Sequence, residues 1–73
     1  MENKIIGQIH LNYRLRFEVD DMELTSGDPL EVLVLDKTGY PVWVSTRVEY
    51  NEESGYYLVG LLGCRPVGLF ARV

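Results

Sequence analysis

Cysteine, histidine and tryptophan each occur only once in this sequence of 73 residues. A single cysteine, Cys64, cannot form a disulfide bond within the chain, so the fold is not cross-linked and a reducing compartment is expected. Cys64 and His10 alone cannot supply the ligands of a zinc site, and the sequence offers no partner that would make either one part of a nucleophilic pair. We therefore expect no metal and no cofactor.

Long hydrophobic runs are also missing. No stretch approaches the roughly 18 consecutive apolar residues that a membrane-spanning helix needs. Residues 1–20 contain no continuous apolar core flanked by basic residues, which a secretory signal would have. The sequence therefore predicts a cytoplasmic protein that does not enter a membrane.

Basic residues are missing from residues 17–36, which contain seven acids and no lysine or arginine. This segment has a formal charge of −7, the rest of the chain, with four acids and seven bases, has +3, and the whole chain has −4. A net negative charge disfavours binding to a polyanion through bulk electrostatics. The uneven distribution predicts two faces of opposite sign, provided that the acidic segment folds to one side.

The acidic segment is a candidate surface for binding a partner. Alternate residues of a strand lie about 6.6 to 6.8 Å apart, so a row of carboxylates can occupy a basic groove that normally receives a phosphate backbone. Equally, such a run of charges can be a solvated sheet edge that keeps a small β protein from pairing with itself. The spacing does not match a calcium-binding loop. The candidate residues are Glu18, Asp20, Asp21, Glu23, Asp28 and Glu31.

The architecture is indicated by two apolar runs, residues 42–50 and 56–62, on either side of the polar break Asn51 to Gly55. Both runs are rich in β-branched and aromatic residues, which predicts a β-hairpin onto which the other strands pack. A chain of this length forms one domain, residues 1–73, and buries only about 60% of its unfolded surface. Short strands without a helix predict an all-β fold, a small and strongly bent antiparallel sheet or a partly open SH3-like barrel of five to six strands.

The segments around this hairpin are predicted from their alternation. Residues 14–20 alternate cleanly and predict a half-buried strand with Leu15 on the core side. Residues 21–28 predict a loop with Met22 and Leu24 turned inward. The other strands and connections are predicted at residues 5–11, at residues 30–35 as a central strand covered on both faces, at the tight turn 37–40 and at residues 69–73.

Trp43, Arg47 and Glu49 share the second face of the strand 42–50. Aromatic residues and arginine are the usual energetic centres of protein interfaces, so this face is a candidate contact for a protein, a peptide or a base. In the alternative interpretation, Trp43 fills the second side of a small core and Arg47 forms an ion pair with Glu49 or a neighbouring acid. The pattern does not decide between the two.

Several short motifs occur together along the chain. They are Ser26-Gly27-Asp28, Leu30-Glu31-Val32, Trp43, Thr46-Arg47-Val48-Glu49, Tyr56-Tyr57-Leu58-Val59-Gly60 and Gly68-Leu69. Taken together, from about Gly7 to the end of the sequence, they resemble the small proteins catalogued as domain of unknown function five-three-four-eight (DUF5348). The resemblance implies a compact β domain encoded on Firmicutes plasmids, conjugative elements and phages, and it assigns no catalytic residue.

A protein-interaction module is the first functional expectation. A chain of this size has little room for a pocket that would hold a substrate, so we predict no enzymatic activity. Mobile elements often carry small proteins that block host defence, and carboxylates could occupy the groove of a basic host complex that handles nucleic acid. The alternative is a β-barrel that binds nucleic acid or a small ligand through Trp43, Arg47, Arg14 and Arg16. A homodimer is left open.

Overall fold

A computed structural model of the chain describes residues 5–61, 63 and 65–73. The expectations for Leu62, Cys64 and residues 1–4 lie outside these described residues. The described residues form seven strands and no helix. In chain order the strands are β1 (Ile6–Leu11), β2 (Phe17–Val19), β3 (Met22–Glu23), β4 (Pro29–Leu35), β5 (Pro41–Asn51), β6 (Gly55–Leu58) and β7 (Phe70–Arg72).

The seven strands form one antiparallel sheet in the order β3-β2-β1-β7-β4-β5-β6, curled into a half-barrel. The predicted all-β fold and the bent, partly open sheet are confirmed. The sheet has seven strands instead of five to six because Met22 and Glu23 pair with β2, where a loop was expected. A tight turn at Asp20, whose φ is +53°, returns the chain to make this short hairpin.

The long hairpin of β5 and β6 forms as its residue pattern predicts. Tyr50 pairs with Tyr56 and Val48 with Leu58, and Gly55, at a φ of +83°, lets the chain turn back after the polar break. β6 ends at Leu58, earlier than expected. The buried core is drawn from six of the seven strands and from the turn after β3, and it consists of Ile9, Phe17, Val19, Leu24, Leu30, Val32, Val48, Leu58 and Ala71.

Strand pairing divides the side chains between an inner face and an outer face. The pair Val48 and Leu58 points into the core, and so does Val32, opposite Ala71. Because neighbouring residues of a strand point to opposite sides, the intervening pairs point outward. The outer pairs include His10 with Glu18, Glu31 with Arg72, and Leu33 with Trp43.

Leu15 does not lie in the core, where the alternation of residues 14–20 placed it. The side-chain Oδ1 of Asn12 accepts hydrogen bonds from the backbone N–H groups of Arg14 at 2.9 Å and Arg16 at 3.1 Å. These bonds close a turn, so β2 begins only at Phe17. Leu15 sits in this turn at a φ of +64° and is 71% exposed.

Leu24 is buried as expected, but two further predictions do not hold in full. Met22 lies opposite the core residue Val19 and so faces inward, but it is exposed because β3 is the edge of the sheet, where no neighbouring strand covers it among the described residues. β4 is central, between β7 and β5, but it is not covered on both faces. Its outer face has no second layer in the described structure, so Leu35 is exposed.

The turn from β4 to β5 is organised by Asp36. Its carboxylate Oδ1 accepts hydrogen bonds from the hydroxyl of Thr38 at 2.7 Å and from the backbone N–H groups of Thr38 and Tyr40, each at 2.9 Å. The Thr38 hydroxyl first, and then the Tyr40 amide, hold the pKa of Asp36 below its ordinary value. These bonds favour the ionised carboxylate over the protonated acid.

Replacement of Asp36 by asparagine should therefore change how stability depends on pH. A carboxylate with a lowered folded-state pKa stabilises the fold above the unfolded pKa of about 3.9, and this contribution is lost as the pH falls through the folded-state value. We expect the free energies of unfolding of the wild type and Asp36→Asn to converge on acidification. Urea titrations at several pH values, with NMR titration of the Asp36 carboxyl, measure this. A folded-state pKa at or above 3.9 would contradict it.

Candidate protein-binding surface

The outer face of the sheet brings together most of the residues that the sequence singled out. Cross-strand pairing carries Glu18 and Glu23 to this face on β2 and β3. It also carries Glu31 on β4 and Trp43 on β5 there. Arg47, opposite Pro29, and Glu49, opposite Tyr57, complete the set on β5. Three of the six acidic candidates and the set of Trp43, Arg47 and Glu49 therefore lie on one face.

A stack of three side chains lies near the centre of this face. The guanidinium carbon of Arg72 is 4.1 Å from the centre of the Trp43 ring, which is a close cation–π contact. The Nε of Arg72 donates to Oε1 of Glu31 at 2.6 Å, and both of these side chains are about two-thirds buried. The ion pair fixes the guanidinium, and the guanidinium in turn fixes the indole. The stack is thus ordered before any partner arrives.

Apolar side chains surround the stack. Leu33 pairs with Trp43 across β4 and β5, and continuing the β4–β7 register by one residue places Phe70 beside Leu33. Phe70 is 49% exposed, and Ile6, which pairs with Arg72, is 57% exposed. We call the residues Ile6, Leu33, Leu35, Trp43 and Phe70, together with Arg72 and Glu31, the outer patch.

The alternative interpretation of Trp43 and Arg47 is partly realised. The Nε of Arg47 donates to Oε2 of Glu49 at 2.8 Å, so this arginine has an ion-pair partner on its own strand. Trp43 is half-buried on the outer face and does not belong to the core. The arginine that stacks on it is Arg72, which sequence reasoning missed because Arg72 is distant in the chain. The alternation of residues 70–72 places Arg72 outside only when the pairing of β7 with β4 is known.

Most of the acidic candidates have a hydrogen-bond or ion-pair partner within the chain. Glu18 accepts from His10 Nε2 at 2.8 Å, and Glu23 accepts from Asn12 at 2.8 Å and lies 3.4 Å from Arg14. The exposed turn between β2 and β3 carries Asp20 and Asp21, next to these two glutamates. Asp28 lies apart, in the turn before β4, and accepts from the amide of Thr25. Glu18, Asp21 and Glu23 therefore form an acidic rim on the β2–β3 side of the sheet, whereas the Asp20 carboxylate lies beside Gly7 and Val19 on the inner side.

The residues of the alternative nucleic-acid surface are not brought together. Trp43 and Arg47 lie on the outer face of β5. Arg14 and Arg16 lie in the turn between β1 and β2, and the guanidinium of Arg16 lies over the ring of Tyr56, which belongs to the inner side. One continuous basic surface from these four residues is therefore not formed.

The described part of the chain offers neither a metal-binding cluster nor a transmembrane helix. No group of three or more histidine, cysteine, aspartate or glutamate side chains is arranged there to hold a metal ion. The same residues include no helix that could serve as a transmembrane span. Every buried side-chain nitrogen or oxygen atom among them has a hydrogen-bond partner.

Comparison with known proteins gives one family. The family model described as Domain of unknown function (DUF5348) matches residues 6–73, which is essentially the whole chain. Neither the curated proteins nor the solved structures give a match. The likeness to SH3-like barrels therefore stays a prediction.

Proposed function

We propose, from the premise that this chain belongs to the DUF5348 family, that it is a non-enzymatic module that binds a protein partner through the outer patch. The observation that carries the proposal is the ordered stack of Arg72 on Trp43 among partly exposed apolar side chains. Tryptophan and arginine are enriched among the residues that dominate binding energy. An arginine already held by Glu31 loses little conformational freedom when a partner covers it.

The shape and charge of the surface favour a protein over a small ligand. The patch lies on the outer side of a curled sheet, whereas sites for small molecules are concave. A core of apolar and aromatic residues with a polar border is the usual anatomy of a protein interface. The acidic rim gives this border a negative sign, so a partner with basic residues beside an apolar patch is complementary.

The biological setting is part of the same proposal. The family resemblance supports an origin on a phage, plasmid or conjugative element, and the acidic rim supports a host complex that handles nucleic acid as the target. Blocking such a complex is the activity that this combination favours. The single cysteine supports a cytoplasmic location.

The test begins with capture of partners from a lysate of the natural host, followed by binding measurements with the purified partner. Phe70→Glu and Leu35→Glu each place a charge in the outer patch, and each should weaken binding by about tenfold or more. Tyr13→Glu is the matched control, because Tyr13 is 90% exposed in the β1–β2 turn. It should bind like the wild type.

Three results would count against this proposal. Equal binding by the two outer-patch variants and the wild type would place the contact elsewhere. Loss of binding in Tyr13→Glu alone would move it to the β1–β2 turn. Self-association of the purified chain that Phe70→Glu abolishes, measured by analytical ultracentrifugation, would make the outer patch an interface between copies.

A further inference from the structure

The half-barrel is open along one side. β3 and β6 are the two edges of the sheet, and no strand pairing joins them among the described residues. Curling nevertheless brings the rings of Phe17 on β2 and Tyr56 on β6 to 6.5 Å between centres. The ring of Tyr50 packs edge-on against Tyr56 at 4.9 Å. We call this open side, between β2 with its preceding turn and β6, the seam.

A continuous groove follows the seam. Three hollows of 430, 410 and 310 Å³ all include Tyr56 in their walls. The second and third share Leu15 and Gly55, and the first and third share Ser54 and Pro66. The groove therefore runs from the β1–β2 turn, past Tyr56, to the segment after β6.

The edge of β6 presents backbone groups to this groove. The amide of Val59 donates to the carbonyl of Arg47 at 3.1 Å, which fixes the alternation of hydrogen bonds between β5 and β6. In an antiparallel pair, every second residue directs its N–H and C=O away from the partner strand. By this alternation the backbone N–H and C=O groups of Tyr56 and Leu58 point away from β5. The carbonyl of Leu58 already accepts a hydrogen bond from the amide of Leu61. The amide and the carbonyl of Tyr56 are directed towards the seam.

The other wall carries two features that suit a ligand. Leu15 is held at a positive φ with its side chain exposed, an arrangement that is strained for a residue with a Cβ and that tends to occur at functional sites. Arg16 lies 5.8 Å from the Tyr56 ring centre, and among the described residues no carboxylate lies within ion-pair distance of it. Arg14, by contrast, is beside Glu23. The groove thus offers one cation without a counter-charge.

We propose that the seam binds an extended segment of a partner protein, which pairs with the edge of β6 and so adds a strand to the open sheet. Backbone pairing at Tyr56 supplies register, a carboxylate of the segment binds Arg16, and an apolar side chain packs against Leu15. Addition of a strand to an exposed sheet edge is an established mode of peptide recognition. Because the seam and the outer patch are different surfaces, each can be removed without the other.

A single nucleic acid strand fits this groove less well. One cation without a counter-charge gives little neutralisation of a phosphate backbone. The turn between β5 and β6, which borders the groove through Ser54 and Gly55, also carries the acids Glu52 and Glu53. Arg16 can therefore bind one carboxylate of a segment, but the groove does not attract a polyanion.

The test is a selection in which the full chain captures binding peptides from a displayed random library. The peptides have about ten residues, which is enough to span a strand. Enriched peptides should contain an acid beside alternating apolar residues, and binding should protect the Tyr56 amide from hydrogen exchange. Arg16→Gln and Leu15→Asn should each weaken them by about tenfold or more, while Phe70→Glu should bind as the wild type does. Asparagine tolerates the left-handed backbone at position 15, so that variant keeps the turn.

Thermal unfolding of each variant confirms that it folds, and a thymidine oligonucleotide serves as the competing probe. Absence of any enriched peptide, or equal binding to Arg16→Gln, Leu15→Asn and wild type, would overturn the proposal. Binding without protection of the Tyr56 amide would overturn the strand pairing. Displacement of the peptide by the oligonucleotide at physiological salt would make the seam a nucleic-acid site. Loss of peptide binding in Phe70→Glu alone would show that the peptide binds the outer patch and not the seam.

Discussion

Replacement of Leu58 by alanine is expected to remove a large part of the free energy of unfolding. Leu58 is 1% exposed and packs in the core from β6, which pairs with β5 alone among the described strands. Truncation of a buried leucine to alanine costs about 2 to 5 kcal/mol, because transfer energy is lost and a cavity remains. A domain of 73 residues has a total stability of about 4 to 11 kcal/mol. One substitution thus removes a large part of the stability.

Urea titration followed by Trp43 fluorescence and by circular dichroism measures the effect. The matched control is Leu35→Ala, the same truncation at a site on β4 that is exposed, and its free energy of unfolding should change by less than about 0.5 kcal/mol. Equal losses in the two variants would mean that Leu58 is not a core residue. A free energy of unfolding for Leu58→Ala equal to that of the wild type would likewise contradict the packing of β6 against the core.

Removal of the Arg72 side chain should give the second largest loss. Arg72→Ala deletes the charge-assisted hydrogen bond to Glu31 and the contact with the Trp43 ring. A hydrogen bond to a charged group is worth about 1.5 to 3 kcal/mol, and a cation–π contact adds about 0.5 to 1 kcal/mol. Because the Arg72 side chain is 32% exposed and water screens the pair, we expect a total loss of about 1 to 2 kcal/mol.

Arg47→Ala is the control for this measurement. Arg47 also pairs with a glutamate on the outer face, but its side chain is 56% exposed, so its removal should cost no more than about 0.5 kcal/mol. A double-mutant cycle of Arg72→Ala with Glu31→Gln isolates the pair, and a coupling energy near zero would show that the two side chains act separately. Trp43 fluorescence should also change in Arg72→Ala, since the guanidinium no longer covers the ring.

Much of the fold follows from local patterns in the sequence. The alternation of residues 42–50, the polar break after them and the return run predict the hairpin, since each feature acts between near neighbours in the chain. The tight turn after β4 also forms as predicted, with Gly39 at a φ of +86°. Such features can be read directly because the pleat of a strand repeats every two residues.

Features that depend on a specific side-chain bond could not be predicted. The alternation of residues 14–20 placed Leu15 inside, but the amide groups of Arg14 and Arg16 bond to the carboxamide of Asn12. Asparagine side chains compete with strand hydrogen bonds in this way, and their effect overrides periodicity. Met22 illustrates a different limit, because its exposure results from its place at the sheet edge and not from its own polarity.

The sequence predicted only part of the candidate surface. Trp43, Arg47 and Glu49 follow one face of one strand, so their grouping needed only the period of two. Arg72 joins Trp43 through strand order, which puts β7 beside β4 although the two are distant in the sequence. No periodicity contains that information. The acidic residues form one charged segment in the sequence, but the placement of Glu18 and Glu23 on the outer face needed the register of β1, β2 and β3.

The position of β7 also has a consequence for how the protein is made. β1, β2 and β3 are successive neighbours in the sheet, and so are β4, β5 and β6, whereas β7 lies between these two units and follows both in the sequence. As the chain leaves the ribosome, each unit can form early, but the two units become one sheet only when β7 pairs with β1 and with β4. Pairings between distant parts of a chain are slow to form. Until that last step, the nascent chain is most exposed to aggregation and to chaperones.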